Sequence, residues 1–115
     1  MVAHLVLFTP RRDLSDAERM TFVGTLEHAL ANIPLIRRAR IGRRLNTGRQ
    51  YDLQNPHQFP YAAILEFDTE DDLRAYLDHP AHNALGEQFY IASEGALAVD
   101  FTMVEGNRAR EILLS

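Results

Sequence analysis

The chain contains no cysteine. Without thiols there is no disulfide, no thiolate nucleophile and no thiolate metal site, and the composition is compatible with a reducing compartment. Long apolar runs are missing too. No stretch approaches the roughly 20 apolar residues that span a bilayer. The opening Met1-Val2-Ala3-His4 has neither a basic segment nor a long apolar one, so the expectation is a cytoplasmic protein with no membrane partner. Positive charge is not in excess: the formal net charge is −4, which argues against nucleic acid as a partner. The one basic cluster, Arg37, Arg38, Arg40, Arg43 and Arg44, reads as a solvated strand protected by charge from edge aggregation. Phosphate loops, GxSxG elbows and HExxH pairs are absent, and Gly42 and Gly48 stand alone.

What is present fits one domain of 115 residues, small enough for partnering to add stability. Residues 2–9 are apolar with an embedded His4 and predict a buried strand. Ser15-x-x-Glu18 is a capping box, and Phe22, Leu26, Ala29, Leu30 and Ile33 follow at helical spacing until Pro34. Residues 35–45 predict a charged second strand that ends in the turn signal Asn46-Thr47-Gly48. The polar segment 49–59 reads as a long, mobile hairpin loop. In the next strand Tyr61, Ala63, Leu65 and Phe67 alternate with Ala62, Ile64 and Glu66. Thr69 caps a second helix with Asp72 three residues on. That helix stops at His79-Pro80, and a third runs to about Glu94 with Gly95 as its stop. A last strand covers about 96–104, and residues 105–115 form a tail. The expected domain is therefore 1–104.

This order predicts an α+β fold, ferredoxin-like, with helices on one face of an antiparallel sheet. Strands one and three are apolar on both faces or nearly so, and helices can cover only one of them. A second copy of the chain is the expected cover, giving a homodimer.

The candidate chemistry lies in Tyr76-Leu77-Asp78-His79-Pro80-Ala81-His82. Proline enforces a break, so His82 leaves from a second segment and can swing back toward Tyr76 across an elbow. An imidazole with a pKa near ~6.5 is a serviceable base at neutral pH, and a phenol near ~10 is a proton donor. Together they suit removal of a proton next to a carbonyl, with His82 as base and Tyr76 donating to the developing oxyanion. Each residue also has a plain structural reading: Tyr76 as a core anchor, His79 as an elbow residue bonded to the backbone, His82 and His4 as hydrogen-bonded packing residues. Asp100 interrupts an apolar strand and needs a partner, which a histidine would supply. A metal site using His79 and His82 with Glu66, Asp100 or His4 competes for the same side chains. The spacing matches no strong metal signature, so neither a metal nor an organic cofactor is expected.

Three stretches carry a resemblance: His4-Leu5-Val6-Leu7-Phe8, then Phe67-Asp68-Thr69 through Tyr76-x-x-His79-Pro80-x-His82, then Val99-Asp100-Phe101. Together they resemble the stress-responsive A/B barrel (Dabb) family over residues 3 to 104. The resemblance implies a homodimeric α+β barrel. It also implies a similarity to polyketide cyclases of the olivetolic acid cyclase type, which close rings by aldol condensation without metal or organic cofactor. The catalytic tyrosine and histidine of those members fall on Tyr76 and His82. Their first-strand histidine and last-strand aspartate fall on His4 and Asp100. A pocket histidine falls on Tyr61, a departure bearing on substrate, and the 49–59 loop is extended relative to the family.

Two functions follow as expectations. One is a cofactor-independent cyclase, lyase or isomerase with an apolar small-molecule carbonyl ligand, catalysed by Tyr76 and His82. Its pocket would be lined by His4, Val6, Phe8, Tyr61 and Ala63, with His79 and Asp100 contributing to binding. The other is a binding or stress-response module that uses the same barrel without chemistry.

Overall fold

Residues 2–8 pair on both sides within the central strand β1 (Val2–Pro10), in a computed structural model that describes residues 1–115. The capping box forms as the sequence predicts: the Ser15 hydroxyl accepts from the Glu18 amide at 3.1 Å while Glu18 accepts from the Ser15 amide at 3.0 Å. Helix α1 (Asp16–Asn32) starts there and ends before Pro34. The second strand, β2 (Arg38–Arg43), is shorter than 35–45 because Leu35 and Ile36 turn inward to pack on the core. Strand β3 (Tyr61–Phe67) and helix α3 (Glu70–Leu77) follow, the latter capped by the Thr69 hydroxyl on the Asp72 amide. Helix α4 (Pro80–Ala92) and strand β4 (Ser93–Thr102) complete the unit.

The sheet order is β2-β3-β1-β4, all antiparallel. Each helical connection crosses from a central strand to an edge strand, β1 to β2 and β3 to β4, over the same face, which makes the ferredoxin-like split βαβ arrangement. The register fixes the faces. His4, Val6 and Phe8 of β1 lie beside Leu65, Ala63 and Tyr61 of β3 and Asp100, Ala98 and Ala96 of β4, all on the helix side. Leu5, Leu7, Ile64, Leu97, Val99 and Phe101 fall on the outer side, where Leu97 and Phe101 are 47% and 50% exposed. The buried cluster of Val2, Ala29, Ile33, Leu65, Phe67, Leu73, Tyr76 and Leu85 gathers toward one end of the sheet.

Besides the shorter β2, three features differ from the sequence reading. Helix α4 ends at Ala92, and its cap Ser93 is already extended, so β4 begins at once and Gly95 lies inside the strand. The tail, given no element in the sequence reading, forms a short 3-10 turn (Gly106–Arg108) and helix α5 (Arg110–Leu113), leaving Leu113 and Leu114 exposed. The 49–59 segment is built rather than irregular. It contains helix α2 (Gln50–Gln54), and Asp52, 7% exposed, accepts from the Thr47 amide and hydroxyl at 2.8 Å each and from Arg44 at 3.4 Å. The Thr47 bonds, followed by Arg44, hold the Asp52 carboxyl below its usual range. Gly48, at φ 74°, supplies the left-handed residue that lets the chain turn into this knot.

Asp52 therefore organises the loop without touching the main core. In an Asp52→Ala variant, amide exchange should accelerate across 44–58 while the protection of β1 and β3 is retained. Unchanged exchange in the loop would show that another contact holds it.

Candidate active site

Pro80 sets the geometry. Having no amide hydrogen it cannot extend α3, yet its fixed φ suits the first position of α4. Only Asp78 and His79 separate the two helices. His79 caps α4: its Nδ1 accepts from the Ala81 amide at 3.0 Å. That ring is engaged with backbone and lines no part of the cavity described below.

Three residues further on, α4 returns His82 to Tyr76, and the two rings meet edge to face with centroids 4.6 Å apart. Tyr76 is 2% exposed, packed against Phe67 at 5.1 Å and near His4 at 5.8 Å. His82 Nδ1 lies 3.1 Å from the Leu77 carbonyl. A carbonyl can only accept, so Nδ1 carries the proton and Nε2 the lone pair in the neutral ring. His4 Nδ1 lies 2.5 Å from Asp100 Oδ1, its neighbour directly across the β1–β4 ladder. The same reasoning points that Nδ1–H at the carboxylate. Neither Nε2 nor the Tyr76 hydroxyl has a partner in the protein. None of them is sealed off, since Arg11 Nε is the one fully buried side-chain polar atom without a hydrogen-bond partner.

His4, Tyr76 and His82 all line a cavity of about 390 Å³ between the inner sheet face and the helices. Most of its wall is apolar, including Val6, Phe8, Ala63, Leu65, Leu85 and Phe89. Burial pushes the Tyr76 phenol up to about 12. At neutral pH it is a hydrogen-bond donor and not a phenolate. Burial also lowers the proton affinity of His82, opposed by its bond to the Leu77 carbonyl and assisted by the nearby His4. The arrangement thus holds a neutral donor and a neutral base against one apolar space.

Of the residues singled out in the sequence, Tyr76, His82, His4, Val6, Phe8 and Ala63 converge on this cavity. Asp100 stands behind His4 and does not line it. Tyr61 is displaced: its ring packs on Phe8 at 5.6 Å and lines the two neighbouring cavities instead. His, Asp and Glu side chains do not gather anywhere in groups of three that could hold a metal ion. Sequence reasoning did not assign Phe22, Leu26, Leu85 or Phe89 to the cavity wall. Their helical spacing marked them as inward-facing, but only the packing of α1 against α4 decides whether an inward side chain meets core or cavity.

The model of the Stress Responsive A/B Barrel Domain matches residues 2–103. Among solved structures, a dimeric protein of unknown function with a ferredoxin-like fold from Bacteroides fragilis is 29% identical, with a TM-score of 0.61 over 89% of this chain and 95% of that one. A hydroxynitrile lyase from Passiflora edulis is 16% identical, with a TM-score of 0.75 over 90% of this chain and 94% of its own. SnoaB, a cofactor-independent oxygenase from Streptomyces nogalater, is 20% identical, with a TM-score of 0.64 over 90% and 93%. No curated protein matches the sequence.

The lowered His82 value has a consequence for stability. Between the folded value and about 6.5 the unfolded chain binds more protons, so the contribution of neutral His82 is complete above about pH 6.5 and is lost as pH falls through the folded value. An NMR titration of the His82 ring should give a midpoint below ~6.5. Replacing it by His82→Gln should flatten the dependence of unfolding free energy on pH in that window. A midpoint at or above the free-imidazole value contradicts the assignment.

Proposed function

The chain belongs to the stress responsive A/B barrel domain family, and from that premise we propose that it is a cofactor-independent cyclase, lyase or isomerase acting on an apolar, polyketide-like carbonyl compound. Tyr76 and His82 are its acid–base pair. The observation that carries this reading is the opening of an unpartnered phenol hydroxyl and an unpartnered imidazole Nε2 on one apolar cavity. His82 Nε2 takes the proton next to the substrate carbonyl. Tyr76 donates to the carbonyl oxygen as it gains enolate character, the resulting carbon nucleophile attacks a second carbonyl of the same molecule, and the alkoxide formed there takes back the proton held by His82. The pKa directions of the pair support these roles, since a base must be neutral to accept and a donor must keep its proton. The His4–Asp100 pair supplies a second imidazole whose Nε2 can hold a polar substituent. Residues 1–104 are the working domain and 105–115 a tail outside it. A cytoplasmic setting is compatible with the cysteine-free chain.

The same reading includes a homodimer joined through the outer sheet face. Only 13 of 115 residues are buried in the single chain, and the outer positions of β1 and β4 are apolar. A relative of the same fold is described as dimeric. Two sheets packed face to face would cover those positions and make the barrel.

Two tests follow. Apolar compounds with several carbonyl groups should include at least one that the parent protein cyclises. With it, Tyr76→Phe should lower kcat by roughly ten- to a thousandfold, and His82→Gln should lower it at least as far. Turnover by both variants at the parental rate would leave a non-catalytic binding or stress-response module as the function. For the dimer, sedimentation at low micromolar concentration should give twice the chain mass, and Leu97→Arg should shift it toward monomer and lower the melting temperature. A monomeric parent removes the barrel.

A further inference from the structure

Beyond the Tyr76–His82 cavity the space under α1 continues. Phe8, Phe22 and Phe89 form a ring cluster with centroid separations of 5.0 to 5.9 Å. On its far side lies a second cavity of about 270 Å³. Phe8, Phe22, Leu26 and Ile41 are walls of both cavities, so the partition between them is one side chain thick. A partition made of side chains can swing aside by rotamer change, on a timescale much shorter than backbone rearrangement.

The second cavity is mostly apolar, and Arg19 of α1 and the hydroxyl-bearing Tyr61 and Ser93 also contribute to its lining. Arg19 has no carboxylate within ion-pair distance, in contrast to Arg11, Arg12 and Arg44. A planar guanidinium with no partner, beside apolar walls, is suited to a carboxylate, which it can bind through two parallel hydrogen bonds. Tyr61, absent from the first cavity, shares the lining of this one with Arg19, which is exposed to solvent.

We propose that Arg19 and the second cavity bind the carboxylate end of an elongated, apolar-bodied ligand whose chain passes Phe8 and Phe22 toward Tyr76 and His82. The substrate class is then a long oxo acid, with its carboxylate at one end and its reacting carbonyl at the other. This inference rests on the first cavity being the ligand site, and its test separates the two claims.

Decanoate and decanol have the same chain and differ in the charge of the end group, so their binding to the full chain can be compared by calorimetry while the His82 ring is followed by NMR. Decanoate should bind about three- to tenfold more tightly than decanol, the range expected of a partly exposed charge-assisted pair. Arg19→Gln should remove that preference and leave decanol binding within about twofold of the parent. Both ligands should move the His82 resonances. Equal affinities in the parent, or a preference that survives in Arg19→Gln, overturn the carboxylate subsite. If decanol still moves the His82 resonances in that case, the first cavity stands as the ligand site. If both ligands bind and neither moves them, that reading falls with the proposal. Failure of both to bind overturns the subsite as well.

Discussion

The site depends on a helix that is not allowed to continue. Six residues on an unbroken α-helix turn through about 600°, which leaves the first and last side chains about 120° apart around the axis. Tyr76 and His82 are separated by six residues, yet their rings meet at 4.6 Å. Pro80 makes the difference, ending α3 and starting α4, and the His79 side chain caps the new helix in place of the amide bonds lost at the break. The carbonyl of Leu77, in the last turn of α3, is where His82 Nδ1 docks. One backbone interruption thus sets the position of the His82 ring, its tautomer and its neighbour.

The sheet supplies the other half by hollowing the middle of the domain. Large side chains fill the end near Val2, Phe67 and Ile33. Farther along the same inner face, Ala63, Ala96 and Ala98 are too small to reach the helices, and space remains where a core would otherwise be. A hollow of this kind costs packing energy, which a fold retains where the space has a use. In the proposed dimer, burial of the apolar outer face between two sheets offsets that cost.

Much of this was legible in the chain. The Ser15 box, the Thr69 cap, the Pro80 break, the apolar run of β1 and the alternation in β3 are local signals whose physics acts within a few residues, and each produced the expected element. The convergence of Tyr76, His82, His4, Val6, Phe8 and Ala63 followed from strand parity and the break. Other features depend on contacts that leave no periodic trace. Asp52 draws its partners from Thr47 and Arg44 through side-chain bonds, so the 49–59 segment looked irregular. The end of α4 is set by the demand of β1 for a partner strand from Ser93 onward, which overrode the glycine at 95. Tyr61 has the right parity for the first cavity, but the Phe8 ring stands between, and no spacing rule reports an intervening side chain.

The central claim is that Tyr76 and His82 together remove a proton next to a carbonyl, and it can be measured before the natural substrate is known. An apolar ketone in heavy water exchanges its α-hydrogens slowly by itself, and NMR follows the loss of each signal. The account predicts that the parent protein accelerates this exchange catalytically, and that Tyr76→Phe and His82→Gln each reduce the acceleration by at least tenfold while remaining folded. Exchange at the same rate with the parent and with both variants would contradict it.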